Sequence, residues 1–354
     1  MMRGFQTELF RLGLGSMIPG AHAREFAKCS LLCTVLLIFT CVSAAADMTS
    51  TLLIGGSKID VTIESGEMKL SQAELMQWVK SAGEAVAAYY GRYPVPHVRI
   101  RIIPVDGSGI RHGQTFGYDG GLIKIRVGAQ TSADELANDW MLTHEMVHLS
   151  FPSMADEHHW IEEGIAVYVE PIARIQAKQM TAERMWADLV RDMPKGQPQP
   201  GDKGLDHTHT WGRTYWGGAL FCFVADVEIR KETHNKKGLQ DALRGILDAG
   251  GDITHDWEFG DALKIGDRAT GTNVLSDLYG KWKDQAVEVD LASMWKELGI
   301  AAGGKSVRVV EDAPLAAVRR AITEPSSLKA GTSQTVSPSA VFVGRAVAGA
   351  RRVL

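Results

Sequence analysis

Five consecutive residues, His144-Glu145-Met146-Val147-His148, are the part of this sequence best suited to chemistry. On a helix, side chains four positions apart share a face and lie about 5–6 Å from each other, so the two imidazoles can grip one metal ion. Zinc accepts imidazole nitrogen, and a catalytic zinc site takes three protein ligands and keeps a fourth position for water. Glu145, beside the first histidine, is placed to take a proton from that water, whose pKa the metal lowers. The five residues leave the third ligand open. The plainer alternative is a helix whose histidines face core and solvent.

Twelve residues after His148 begins Trp160-Ile161-Glu162-Glu163-Gly164-Ile165-Ala166-Val167-Tyr168. With this stretch the chain resembles the glutamate-zincin (gluzincin) metallopeptidases, in which H-E-x-x-H is followed on the next helix by a tryptophan, Glu-Gly, a small residue and an aromatic. The resemblance implies that Glu163 is the third zinc ligand. Glu162 is the rival, otherwise a solvated residue or a contact for a substrate amine. Gly164 is expected to let the two helices pack closely enough for the carboxylate to reach the metal. The polar cluster Asp156, His158 and His159 lies nearby, a surface turn or a support for the ligands.

The segment Arg213-Thr214-Tyr215-Trp216-Gly217-Gly218-Ala219 is similar to the Tyr-x-x-Gly-Ala helix start of aminopeptidase N-type proteins. That likeness implies that the Tyr215 hydroxyl steadies an oxyanion; the alternative is an aromatic anchoring a core helix. His207 and His209, on the preceding loop, are other candidate donors. Further on, Ala219 to Arg230 and Leu239 to Arg244 look like the helical half of glycyl aminopeptidase-like proteins, and the resemblance spans roughly residues 115–320. It implies one zinc ion per chain and hydrolysis of a peptide or protein substrate, in an α+β, zincin-like (thermolysin-like) catalytic unit. Neither a large β-domain ahead of that unit nor a PDZ domain after Ala321 is expected, and no Gly-Ala-Met-Glu-Asn-like motif for a free amino terminus is present. The rival class is a catalytically silent binding protein on the same fold. Glu145 argues for the enzyme, because a scaffold needs only the ligands.

The elements that position these residues are legible in outline. Ser71 and Glu74 form a capping box, and Leu75, Trp78, Val79, Ala82 and Val86 then recur at helical spacing, which predicts a helix over 71–90. Val98 to Ile102 and Leu122 to Val127 alternate apolar with basic residues, with Gly117 to Gly121 as turn material, and predict a small, mostly antiparallel sheet. The 122–127 strand is a candidate to align an extended substrate. A second capping box, Ser132 with Glu135, opens a helix predicted to run to Pro152 and to carry the H-E-x-x-H residues. Helices follow over 159–169, closed by Pro171, then over 181–192, 215–230, 239–248, 275–282 and 291–298. Residues 193–211, rich in Pro, Gly and His, read as a loop long enough to serve a site.

Four basic residues precede the apolar run Leu31 to Val42 and the small residues Ser43 to Ala46, the order of a secretory signal. The expectation is therefore a signal peptide over 1–46, a sheet-containing part over 47–155, a helical part over 156–321, and a disordered tail over 322–354 poor in acidic and rich in small residues. The protein is expected to be secreted or periplasmic, touching a membrane only through an uncleaved signal segment. Three of the four cysteines lie in that segment, leaving Cys222 with no intrachain partner, which excludes a disulfide scaffold and a cysteine-rich zinc module. Removing the segment's four basic and two acidic residues from totals of 38 and 42 leaves 34 and 40, a formal charge of −6 that speaks against nucleic acid as a partner. Oligomeric state is not legible.

Overall fold

In a five-stranded sheet, nearly every second residue of the inner strands is apolar and buried. The computed structural model describes residues 46–303 and 306–324. The strands β1 (Met48–Ile54) and β2 (Ser57–Ile63) form a hairpin, the helix α1 (Gln72–Tyr90) crosses over, and β3 (His97–Val105), β4 (Ile110–Phe116) and β5 (Leu122–Gly128) complete the sheet in the order β1-β2-β3-β5-β4. Val98, Ile100 and Ile102 of β3 and Ile123, Ile125 and Val127 of β5 are fully buried, while Arg99, Arg101, Lys124 and Arg126 occupy the other face. Both hydrogen bonds of the α1 capping box, between Ser71 and Glu74, are formed, and all five of the expected apolar residues are buried.

The sheet is mixed rather than mostly antiparallel. β1–β2 and β4–β5 are antiparallel, but β2–β3 and β3–β5 are parallel. Parallel neighbours need a crossover, which α1 supplies between β2 and β3. Such pairing joins segments far apart in sequence, so local alternation carries no record of it. β5 is an interior strand, hydrogen-bonded on both sides, and so cannot be the substrate-aligning strand; the free edge on that side is β4.

The helix opened by Ser132 does not reach Pro152. It stops as α2 (Ala133–Ala137) and restarts as α3 (Met141–His148). Asp139 causes the break: its carboxylate accepts the backbone N–H groups of Met141 and Leu142 and the indole N–H of Trp78, so it caps a new helix and ties it to α1. The next helix, α4 (His159–Gln176), runs through Pro171 rather than closing before it. The proline removes one N–H donor, but the neighbouring Ile172 and Ala173 are buried and Arg174 donates to Glu170 at 2.9 Å, which holds the turn together.

The remaining helices are α5 (Ala182–Asp192), α6 (Gly218–Glu232), α7 (Leu239–Asp248), α8 (Phe259–Thr270), α9 (Val274–Trp282) and α10 (Leu291–Leu298). A small hairpin, β6 (Ile300–Gly303) with β7 (Ser306–Val309), and α11 (Ala316–Thr323) follow. α8 is absent from the sequence reading, since Gly260, Asp261, Gly266 and Asp267 are poor helix formers. Packing decides there: the bare face of Gly266 lies against Leu275 and Ala242. β1, β2, β4, the late hairpin and α11 also went unread. All of the expected signal peptide but Ala46 lies outside the described residues, as does nearly all of the expected tail. Among the described residues no helix is long and apolar enough to cross a membrane.

Candidate metal centre

α3 and α4 meet so that three potential ligands converge. His144 and His148 project from one face of α3, one turn apart, and Glu163 comes from α4. Nε2 of His144 lies 3.2 Å from Oε2 of Glu163 and 3.2 Å from Nε2 of His148, which is 3.5 Å from the same carboxylate oxygen. The three ligand atoms fall within 4.8 Å of one another, and His144 and Glu163 are buried. Two imidazole nitrogens and one carboxylate oxygen aimed at a single point fit zinc's preference for nitrogen and oxygen donors with room for a further ligand. Glu162, the rival, points elsewhere: it accepts from the backbone N–H of Met154 and pairs with His159.

The electrostatics of the cluster suit a cation. Burial works against ionisation of Glu163, but contacts with His144, His148 and His159 outweigh it and hold the carboxyl well below the usual range. Burial pushes the His144 imidazole down, toward the neutral form that ligates. For His148 burial is outweighed by Glu163, Glu145 and Glu162, which push it up. His159 lies 3.4 Å from Oε1 of Glu163, the oxygen turned away from His144 and His148, so it braces the carboxylate with one oxygen facing the cluster. Its contacts with Glu162 and Glu163 raise its pKa to about 10.

These residues line a cleft of about 630 Å³, together with Glu145, Tyr215 and the edge strand β4. Thr115 of β4 donates its hydroxyl to Oε2 of Glu145 at 2.6 Å, with the Glu145 carbonyl 2.9 Å away. Gly113, two residues earlier, faces the same carboxylate so closely that an added Cβ would lie 2.5 Å from Oε1. Sequence reasoning passed over both, although a glycine inside a strand often marks close approach by another group.

Tyr215 sits in a π-helical turn, Gly212–Gly217, that leads into α6. Burial, followed by the nearby Glu163 carboxylate, pushes its phenol up to about 12. The turn is anchored by Arg213, buried against Asp202 at 2.7 Å and donating to the Gly196 carbonyl, so the 193–211 loop braces the Tyr215 segment. Trp211 stacks on Tyr215 with ring centroids 5.8 Å apart. A second cavity of about 460 Å³ shares Trp140, His144 and Tyr215 with the cleft and is lined by Trp211, Trp216 and Met185 together with charged residues including Glu170, Arg184, Asp188 and Lys195.

Gly164 does permit close helix packing, but not of α4 on α3. A Cβ there would run into the backbone of Gly218, 2.7 Å from its carbonyl oxygen and nearer still to its Cα and C. The glycine pair thus seats α4 against the helix that follows Tyr215. Other candidates lie apart from the cleft. His207 pairs with Asp284 at 2.8 Å, and His158 lies 3.1 Å from Asp206, which also accepts from Trp160 and Tyr279 in a buried structural knot.

No protein-family model matches the chain, and no curated protein matches it. Among solved structures it is similar to an aminopeptidase N family protein from Idiomarina loihiensis, at 12% identity and a TM-score of 0.55, over 72% of this chain and 49% of that one. An M1 zinc metallopeptidase from Deinococcus radiodurans matches at 15% identity and a TM-score of 0.46, over 69% and 52% of the two chains. The chain spans about half the length of these solved structures. The first likeness establishes a shared fold, in line with the zincin-like unit expected from the sequence.

Proposed function

We propose that this protein is a zinc-dependent peptidase, with His144, His148 and Glu163 as the metal ligands and Glu145 as the catalytic base. The observation that carries the reading is the convergence of those three ligand atoms on one point in a cleft that also holds Glu145 and Tyr215. Zinc bound there supplies a Lewis acid that polarises a carbonyl and makes a water more acidic. Glu145 accepts the proton of the attacking water and passes it to the leaving amine. The Tyr215 hydroxyl donates to the oxyanion that develops on the carbonyl, a contribution of about 3 kcal/mol for a single well-placed donor. The free edge of β4 offers backbone groups to an extended peptide beside Glu145. The second cavity shares His144 with the cleft and is lined both by tryptophans and by charged residues such as Glu170, Arg184, Asp188 and Lys195, so it offers room for a side chain of that peptide without selecting an apolar one. The signal-like order of residues 1–46 supports placement outside the cytoplasm.

Zinc content and peptide cleavage, measured on wild type, Glu145→Gln and His144→Ala, test the reading. Wild type should hold one zinc per chain and cleave. Glu145→Gln should keep the metal and lose nearly all turnover, and His144→Ala should lose the metal. Full activity in Glu145→Gln would sink the catalytic claim, and normal zinc in His144→Ala the ligand claim. Bound zinc without cleavage of any library peptide, whether its amino terminus is free or blocked, would favour the silent binding protein.

A further inference from the structure

We infer that Thr115 and Gly113 are positioning residues that hold the Glu145 carboxylate in a single orientation, with Oε1 left as the proton acceptor; the inference rests on the peptidase reading above. The two residues are separated by one position on β4, so they present to the same side of the strand. That side faces α3. The Thr115 hydroxyl lies 2.6 Å from Oε2 of Glu145 and 2.9 Å from the carbonyl oxygen of the same residue, so it bridges the head and the backbone of the base. Gly113 supplies the space: a Cβ at this position would lie 2.5 Å from Oε1, 2.6 Å from Cγ and 2.8 Å from Cδ. One oxygen is tied down by a donor and the other lies over bare backbone.

The division between the two oxygens has a chemical consequence. A carboxylate oxygen that already accepts a short hydrogen bond has less electron density to offer a second proton. Oε1 therefore receives the proton from the attacking water and later releases it to the leaving amine nitrogen, so the residue ends each cycle as the same carboxylate. The strand's register makes the arrangement possible. β4 pairs with β5 with a shift between Ile110 and His112, and that irregularity sets which of its residues turn toward α3. A one-residue slip would bring His112 and Gln114 to the carboxylate in place of Gly113 and Thr115.

Steady-state kinetics on a peptide that wild type cleaves, with zinc content and thermal unfolding measured alongside, test the inference. Thr115→Val should lower kcat about 10- to 100-fold, the worth of a hydrogen bond to a charged group, with KM within about twofold and zinc unchanged. Thr115→Ser, which keeps the donor, should recover to within about threefold of wild type. Gly113→Ala should lose at least about tenfold in kcat. In a Glu145→Gln background Thr115→Val should add no further loss, because its effect runs through the base. Wild-type kcat in Thr115→Val, an equal additional loss in the Glu145→Gln background, or a Thr115→Ser variant as poor as Thr115→Val would each overturn it. If Thr115→Val fails to fold, Thr115→Ala with the same Ser comparison takes its place. A zinc-loaded wild type that cleaves nothing defeats the peptidase reading, and this inference with it; cleavage that Thr115→Val leaves untouched defeats the inference alone.

Discussion

Replacing Gly164 by alanine puts a single methyl group between α4 and the start of α6, where the structure has backbone against backbone. The new Cβ would stand 2.7 Å from the Gly218 carbonyl oxygen and closer to that residue's carbons. Ordinary contact needs about 3.2 Å to oxygen and about 3.5 Å to carbon, so the helices must part by about 1 Å. No side chain can rotate aside, since both obstacles are main chain. Overpacking of this kind costs about 1–3 kcal/mol, here at the upper end, and the better helix propensity of alanine returns about 1 kcal/mol. The net loss of about 2 kcal/mol corresponds to a fall in Tm of about 4–8 °C. Activity should fall further, because the same movement carries Tyr215 away from Glu163, and a misplacement of about 1 Å costs about 10²-fold. Gly260→Ala is the control: an added Cβ there meets nothing within 4 Å, and the residue is exposed in the first turn of α8. It should be neutral or mildly stabilising. Calorimetric melts and kcat/KM on the same preparations check both. A Gly164→Ala protein that melts within about 1 °C of wild type and keeps its activity would refute the role given to this glycine contact.

Three other outcomes are expected. Asp139→Ala removes the cap of α3 and the partner of the Trp78 indole, at a cost of about 2–4 kcal/mol seen in chemical denaturation, while Asp139→Asn keeps an acceptor and should lose less. His159→Ala frees Oε1 of Glu163 and should weaken zinc binding about 10- to 100-fold in competition with a chelator. Burial, only partly offset by Arg174, raises Glu170 to about 7. The folded state therefore holds that proton more tightly than the unfolded chain, and the associated stability is complete below about pH 4.5 and lost as pH rises through 7. Glu170→Gln should accordingly gain on wild type by about 1–3 kcal/mol between pH 5 and pH 8, and a gap that stays constant with pH counts against the shift.

Many of the helices were legible because helix signals are local. The capping boxes of Ser71 and Ser132 form as written, and α7 and α10 begin and end where their apolar periods do. Misreadings arose where a distant contact overrode the local signal. Asp139 breaks one helix through bonds that include Trp78, about sixty positions away. α4 continues through Pro171 because its next turn is buried, and α8 forms despite its glycines because α7 and α9 pack on it. The two parallel strand pairings could not be read, since local signals do not record pairing between strands joined through a crossover or an intervening strand.

The same division holds within the site. Spacing alone put His144 and His148 one turn apart with Glu145 between them, because the helical repeat is a property of the chain itself. Likeness to a family pointed to Glu163 and Tyr215. Only the folded chain decided that Glu163 faces the histidines while Glu162 turns to Met154, and that the Tyr215 turn rests on a glycine contact between α4 and α6. Only the fold brought Gly113 and Thr115, thirty and more positions upstream, to the Glu145 carboxylate. Which side chains meet across such distances depends on packing and strand register, which the whole molecule settles at once.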